Sequence, residues 1–170
     1  MSYKPVACEF ARYNAWQNGQ LLTICDTLDE AELTADRGMF FGGILQTLDH
    51  ILLVDQTLLK FAQSGDMKIL AAFDPAVRPS PNYAAYKSAR HAADRNLLSA
   101  FNAAADAWFD DVLTFHSTSL GRDRSVPRWF YLAQMFNHQT HHRSQVTSAL
   151  HRMGIDYGIT DLPYNPQSQY

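Results

Sequence analysis

Apolar and polar positions alternate with a helical period along most of this chain. Phe10, Tyr13, Asn14, Gln17, Leu21, Ile24 and Leu28 recur at three- and four-residue steps, which predicts a helix over residues 5–28. Residues 34–43 hold Gly38, Gly42 and Gly43 and read as a connection. From Ile44 to about Gln63 the pattern is again helical but apolar on most sides, with Leu45, Leu48, Ile51, Leu52, Val54, Leu58 and Phe61. A helix of that kind belongs at the centre of a fold. Ser64 to Pro81 contains Gly65, Pro75, Pro79 and Pro81 and reads as a long crossover between distant helices. A third helix with Ala-rich faces is predicted from Asn82 to about Phe109. Val112 to Val126, with the turn signal Leu120-Gly121-Arg122-Asp123, suggests a short hairpin. Pro127 then suits the first turn of a fourth helix that runs to about Met153 and stops at Gly154. The tail 155–170, with Pro163 and Pro166, reads as irregular.

Four long helices and one long crossover predict an all-α four-helix bundle, a single domain over residues 1–170. Composition changes this picture little. Hydrophobic residues at 46% suit one core, and charged residues at 18% imply extensive burial. With more amphipathic helix surface than one small bundle can bury, a homodimer is expected. A net charge of -3 gives no electrostatic case for nucleic acid or an anionic membrane. No apolar run approaches the ~18–20 residues of a membrane span, and the start of the chain does not read as a signal peptide. Cys8 and Cys25 share the first predicted helix. At 1.5 Å per residue they sit roughly 25 Å apart and cannot pair within it, so a reducing cytoplasm is the expected compartment.

The chemistry concentrates in Phe136-Asn137-His138-Gln139-Thr140-His141-His142-Arg143-Ser144-Gln145. His138 and His142 are four residues apart, so they leave one helical face on consecutive turns and can share a divalent cation. No Glu follows His138, so the H-E-x-x-H protease signature and its general base are missing. On a helical wheel the pair projects with Tyr131, Met135 and Ala149, the apolar side, whereas His141 falls at a rim, at an interface or where it can donate to a ligand. Two hydrogen-bonded core histidines without metal would give the same pattern. A mononuclear site needs a further ligand from elsewhere. His151 points roughly 180° away from His142. His116 lies in the predicted hairpin and His91 on the small-residue helix. His50, in Leu48-Asp49-His50-Ile51-Leu52 of the most apolar helix, must find a partner or bear the cost of desolvation. A ferritin-like di-iron site is not supported, because no histidine of this group has Glu three residues before it.

Arg12-Tyr13-Asn14-Ala15-Trp16-Gln17-Asn18, Phe40-Phe41 with Leu48-Asp49-His50-Ile51-Leu52-Leu53-Val54-Asp55, and Asn137-His138-Gln139-Thr140-His141-His142-Arg143-Ser144-Gln145 together resemble the signature blocks of the DinB-like (damage-inducible) family. The resemblance implies an up-up-down-down four-helix bundle, usually dimeric. It also implies one divalent metal on His50, His138 and His142. Three histidine nitrogens suit zinc or nickel foremost. Ser144 stands where many relatives have Gly, and Asp49 where many have Asn.

Three neutral imidazoles around a first-row ion leave positions open for water or substrate, so such an ion can activate water, polarise a carbonyl or bind a thiolate. Some relatives resemble transferases that use a low-molecular-weight thiol such as bacillithiol or mycothiol. The expected function is therefore a metal-dependent enzyme acting on a small molecule, either a thiol S-transferase or a hydrolase. The alternative is a stress-associated binding protein whose metal is structural or binds a ligand without turnover. The acidic balance argues against DNA repair. Asp55, Tyr13 and Gln145 enter as base candidates only because they lie in the blocks. Asp55 is roughly 140° from His50 around its helix and should not reach the metal. Arg143 reads as a structural ion pair or interface contact, and Phe10, Tyr13 and Trp16 as core.

Overall fold

The computed structural model describes residues 2–118 and 120–170. Helix α1 spans Lys4–Cys25 with Pro5 in its first turn, a position where the missing N–H costs nothing. Asp26–Leu28 wind on as a turn. A short α2, Glu30–Thr34, follows, closed by the reciprocal Asp29–Glu32 cap. Helix α3 spans Ile44–Ser64 and ends on Gly65 with φ of 68°, a left-handed cap that only glycine adopts freely. The crossover contains a brief helix α4, Met67–Ala71. Helix α5 spans Tyr83–Ala103, its first turn capped by the Asn82 side chain. The third predicted helix therefore stops six residues early. Ala104 and Ala105 are extended and α6 covers Asp106–Asp110, which turns Phe109 inward against Phe101 and Tyr3. Lys4 Nζ caps the α5 end by donating to the Asn102 and Ala104 carbonyls at 2.9 and 2.7 Å. The hairpin is present: β1 (Val112–Ser117) pairs antiparallel with β2 (Arg122–Pro127), with buried Leu113 opposite buried Val126. Helix α7 spans Arg128–Arg152.

The four long helices form the expected bundle, joined by one long crossover. Their directions differ from an up-up-down-down order. Asn14 and Asn18 of α1 meet Asp94 of α5 while Lys4 meets Asn102, so these helices are antiparallel. His50 meets His138 while Ala62 meets Arg128, so α3 and α7 are antiparallel. Asp49 reaches Ser80 and Asp55 reaches Arg90, so α3 and α5 run in parallel. Phe10 packs on Phe136 and Asn14 meets Arg143, so α1 and α7 do too. The result is up-down-down-up. Up-up-down-down bundles need two full-length crossovers, and here only the segment between α3 and α5 returns along the bundle.

The core is divided along its length. At the hairpin end Phe61, Phe101, Phe109, Leu132, Met135 and Phe136 pack together. At the other end Leu22, Cys25, Ile44, Leu48, Leu52, Val146 and Leu150 do so. Between them lies a polar layer drawn from all four helices. Arg90, with no exposed surface, donates from Nη1 to Asp55 Oδ2 at 2.7 Å. Its Nη2 makes an ion contact, not an aligned hydrogen bond, with Asp94 Oδ1 at 2.7 Å. Asn14 and Asn18 also donate to Asp94. Buried Arg143 donates to Asn14 Oδ1 and lies over the Tyr13 ring. Burial pushes the Asp55 carboxyl up, and the Arg90 charge and the Gln139 amide oppose that.

A buried ion pair contributes little over an apolar pair, but removing one partner strands the other charge. Asp55→Ala should lose about 3–5 kcal/mol in urea unfolding. Asp55→Leu combined with Arg90→Leu should lose clearly less than Asp55→Ala alone. Equal losses would show that the pairing does not set the cost.

Candidate metal centre

Two helices bring the histidines together. His50 comes from the middle of α3, and His138 and His142 from consecutive turns of α7. One nitrogen from each lies within 4.8 Å of the other two. His50 Nε2 and His138 Nε2 are 3.2 Å apart, close enough to share either a proton or a cation. The imidazole centroids are separated by 5.2, 4.9 and 4.4 Å. His142 Nδ1 donates to Gln145 Oε1 at 2.9 Å, which fixes its tautomer and leaves Nε2 with a free lone pair. Burial, then the neighbouring His142 and Arg78, pushes His50 down to about 4. Burial and the other histidines push His138 down to about 3. Burial also lowers His142, although the Gln145 bond opposes it. All three imidazoles are therefore neutral near pH 7, the form that ligates metals.

The donor set fits a divalent ion. A tetrahedral ion with bonds of ~2.0–2.1 Å holds its ligand nitrogens about 3.4 Å apart, close to the His50–His138 spacing. His50 Nδ1 and His138 Nδ1 are buried without hydrogen-bond partners among the described residues, so only His142 has a companion that orients it.

Phe41 covers the cluster, stacked on His50 with centroids 4.0 Å apart and 5.5 Å from His142. It sits in the turn that the Gly42 N–H closes on the Met39 carbonyl, just before Gly43 and α3. A Cβ on Gly43 would meet the Ala35 carbonyl oxygen at 2.9 Å and the Thr34 carbonyl oxygen at 3.0 Å, so this close approach requires glycine. His141 is exposed at the rim, 3.4 Å from Gln145, as the wheel indicated. Beyond Gln145 a cavity of about 270 Å³ is bordered by Phe40, Ser148 and Arg152. A larger cavity, about 620 Å³, lies between α3 and α5 away from the histidines, over Asp55 and Arg90.

The other sequence candidates do not join the cluster. His91 and His151 are exposed elsewhere, and His116 pairs with Asp123 in the hairpin at 2.8 Å. Asp55 turns to Arg90, as its angle on the helix required. The Tyr13 hydroxyl donates to the Thr160 carbonyl at 2.6 Å, binding the tail to α1, and Tyr13, like Phe10 and Trp16, is half-buried rather than core. Arg143 has no acid within ion-pair distance among the described residues; its bond to Asn14 replaces the expected ion pair. Sequence reasoning passed over Phe41 as a cover and Arg90 and Asp94 as the buried charges of α5. The Arg90–Asp94 spacing of four residues was the available signal.

The chain belongs to the DinB family, whose model matches residues 1–170. Among solved structures it is similar to YfiT from Bacillus subtilis, described as a probable metal-dependent hydrolase with an unusual four-helix bundle topology. That match has a TM-score of 0.60 and 12% identity, covering 86% of this chain and 87% of YfiT. At that identity the likeness is one of fold. No functionally curated protein matches. No helix among the described residues is long and apolar enough to cross a membrane.

Both cysteines are buried and unpaired. Burial, and then Asp26, pushes the Cys25 thiol up to about 12, and burial raises Cys8. A disulfide reagent at pH 8 should therefore label the native protein at least about tenfold more slowly than the urea-unfolded chain. Fast labelling of either thiol in the native state would contradict this.

Proposed function

We propose that the protein holds one divalent cation on His50, His138 and His142, and that this site serves a metal-dependent reaction on a small molecule, a thiol S-transfer or a hydrolysis. The observation that carries the reading is the convergence of three neutral imidazole nitrogens, one each from His50, His138 and His142, within 4.8 Å of one another. A divalent ion there would supply a Lewis acid with open positions, able to make bound water or a small thiol more acidic or to polarise a carbonyl.

The chain's own groups divide the remaining work. His50 and His138 supply ring nitrogens from facing helices. Gln145 fixes the direction of His142 through its Nδ1 proton. Phe41 shields His50 from water on one side. No carboxylate joins the cluster among the described residues: Asp55 is committed to Arg90, and Asp49 accepts from the Ser80 N–H at 3.3 Å. The lack of a carboxylate base supports the second reading, a binding protein without turnover. It also makes S-transfer, in which a thiolate is its own nucleophile, the better supported of the two reactions.

Metal analysis and titration of purified variants test the ligand set. His142→Ala should abolish stoichiometric zinc or nickel binding, while His141→Ala should only weaken it. Gln145→Ala should retain the site with about 10–100-fold lower affinity, the usual effect of losing the partner that orients a ligand. Equal loss in His141→Ala and His142→Ala would refute the assignment. Full occupancy with no turnover of any thiol or ester would favour the binding protein.

A further inference from the structure

The guanidinium of Arg78, on the crossover, lies with its Cζ 5.2 Å from the Phe41 ring centroid. Phe41 itself is stacked on His50, so one aromatic ring separates this cation from a histidine of the cluster. Arg78 Nη1 donates to the Pro75 and Val77 carbonyls at 2.9 and 3.0 Å. Those bonds hold the head group in place and leave Nε and Nη2 to bind something else. Among the described residues no carboxylate oxygen lies within 4.0 Å of it. The nearby acids have other partners: Asp49, close enough to feel the Arg78 charge, is buried and accepts from the Ser80 N–H, and Asp74 Oδ1 accepts from the Ala76 N–H at 2.8 Å. Nor is the segment a free arm. The Asp49 bond ties Ser80, two residues after Arg78, to the residue next to His50, and Asn82 then starts α5. The Arg78 charge is also felt at the cluster, where it adds to burial in keeping His50 neutral.

A fixed guanidinium without an acid partner, open to solvent beside a reactive site, suits a carboxylate, which its planar fork can bind through two donors. We infer that Arg78 determines specificity at this site by binding the carboxylate of a small acid whose reactive end reaches the three histidines. This rests on the function proposed above and narrows it to substrates, or small thiols, that carry a carboxylate. Phe41 contributes a flat apolar wall between the two ends.

Two probes of similar size separate the anion from the thiol: mercaptoacetate and 2-mercaptoethanol. Their binding to protein loaded with cobalt(II) is read from the visible absorption of the ion. The wild-type protein should bind mercaptoacetate more tightly, and Arg78→Gln should lose about tenfold of that affinity, the scale of one charge-assisted contact at a solvent-exposed guanidinium. Its affinity for 2-mercaptoethanol should stay unchanged, and Arg78→Lys should retain part of the preference. If Arg78→Gln keeps the full preference, the charge of the ion alone explains it and the inference is overturned. If cobalt binds but neither thiol alters its spectrum, the open site fails, and with it both readings. Failure of cobalt to bind would refute the metal site itself.

Discussion

The buried polar layer is the constraint on which the rest of this bundle depends. Apolar side chains at either end can slide or repack with modest loss. The charges of Arg90, Asp55 and Asp94 cannot, because each is buried and only its present partners offset its desolvation. Arg143, held by Asn14, brings the fourth helix into the same level. Two buried cations and two buried anions thus fix the helices against each other along the axis.

The histidine cluster inherits its geometry from that layer. His50 precedes Asp55 by about one and a half turns on α3, and His138 and His142 immediately precede Gln139 and Arg143 on α7. When the layer sets the relative height of these two helices, it also sets the distance between the imidazoles. The family blocks therefore combine two roles. Some of their residues face the site, and others, Asn14, Asp55 and Arg143, hold the elements that carry it.

Much of this was legible in the sequence. The helical period located four long helices, because each buries a continuous apolar stripe. The four-residue spacing of His138 and His142 placed them on one face, and the polar imidazole in the most apolar helix singled out His50. Helix direction was not legible, since an amphipathic stripe reads the same in either sense. Nor was the break at Ala104, where two residues with good helix propensity are extended so that Phe109 can be buried. Arg78 was out of reach for another reason: a cation in a proline-rich loop has no periodicity to place it over Phe41.

His50 and His138 are 88 residues apart in the chain yet stand on facing helices. An ion shared between them would act as a removable cross-link between the second and the last long helix. In the chain-entropy picture, tying a loop of that size deprives the unfolded chain of about 4–5 kcal/mol of freedom. The crossover, α5 and the hairpin all lie inside that loop. An ion at one small site would thus close more than half of the chain into a ring, which links the stability of elements that contribute no ligand to the supply of metal.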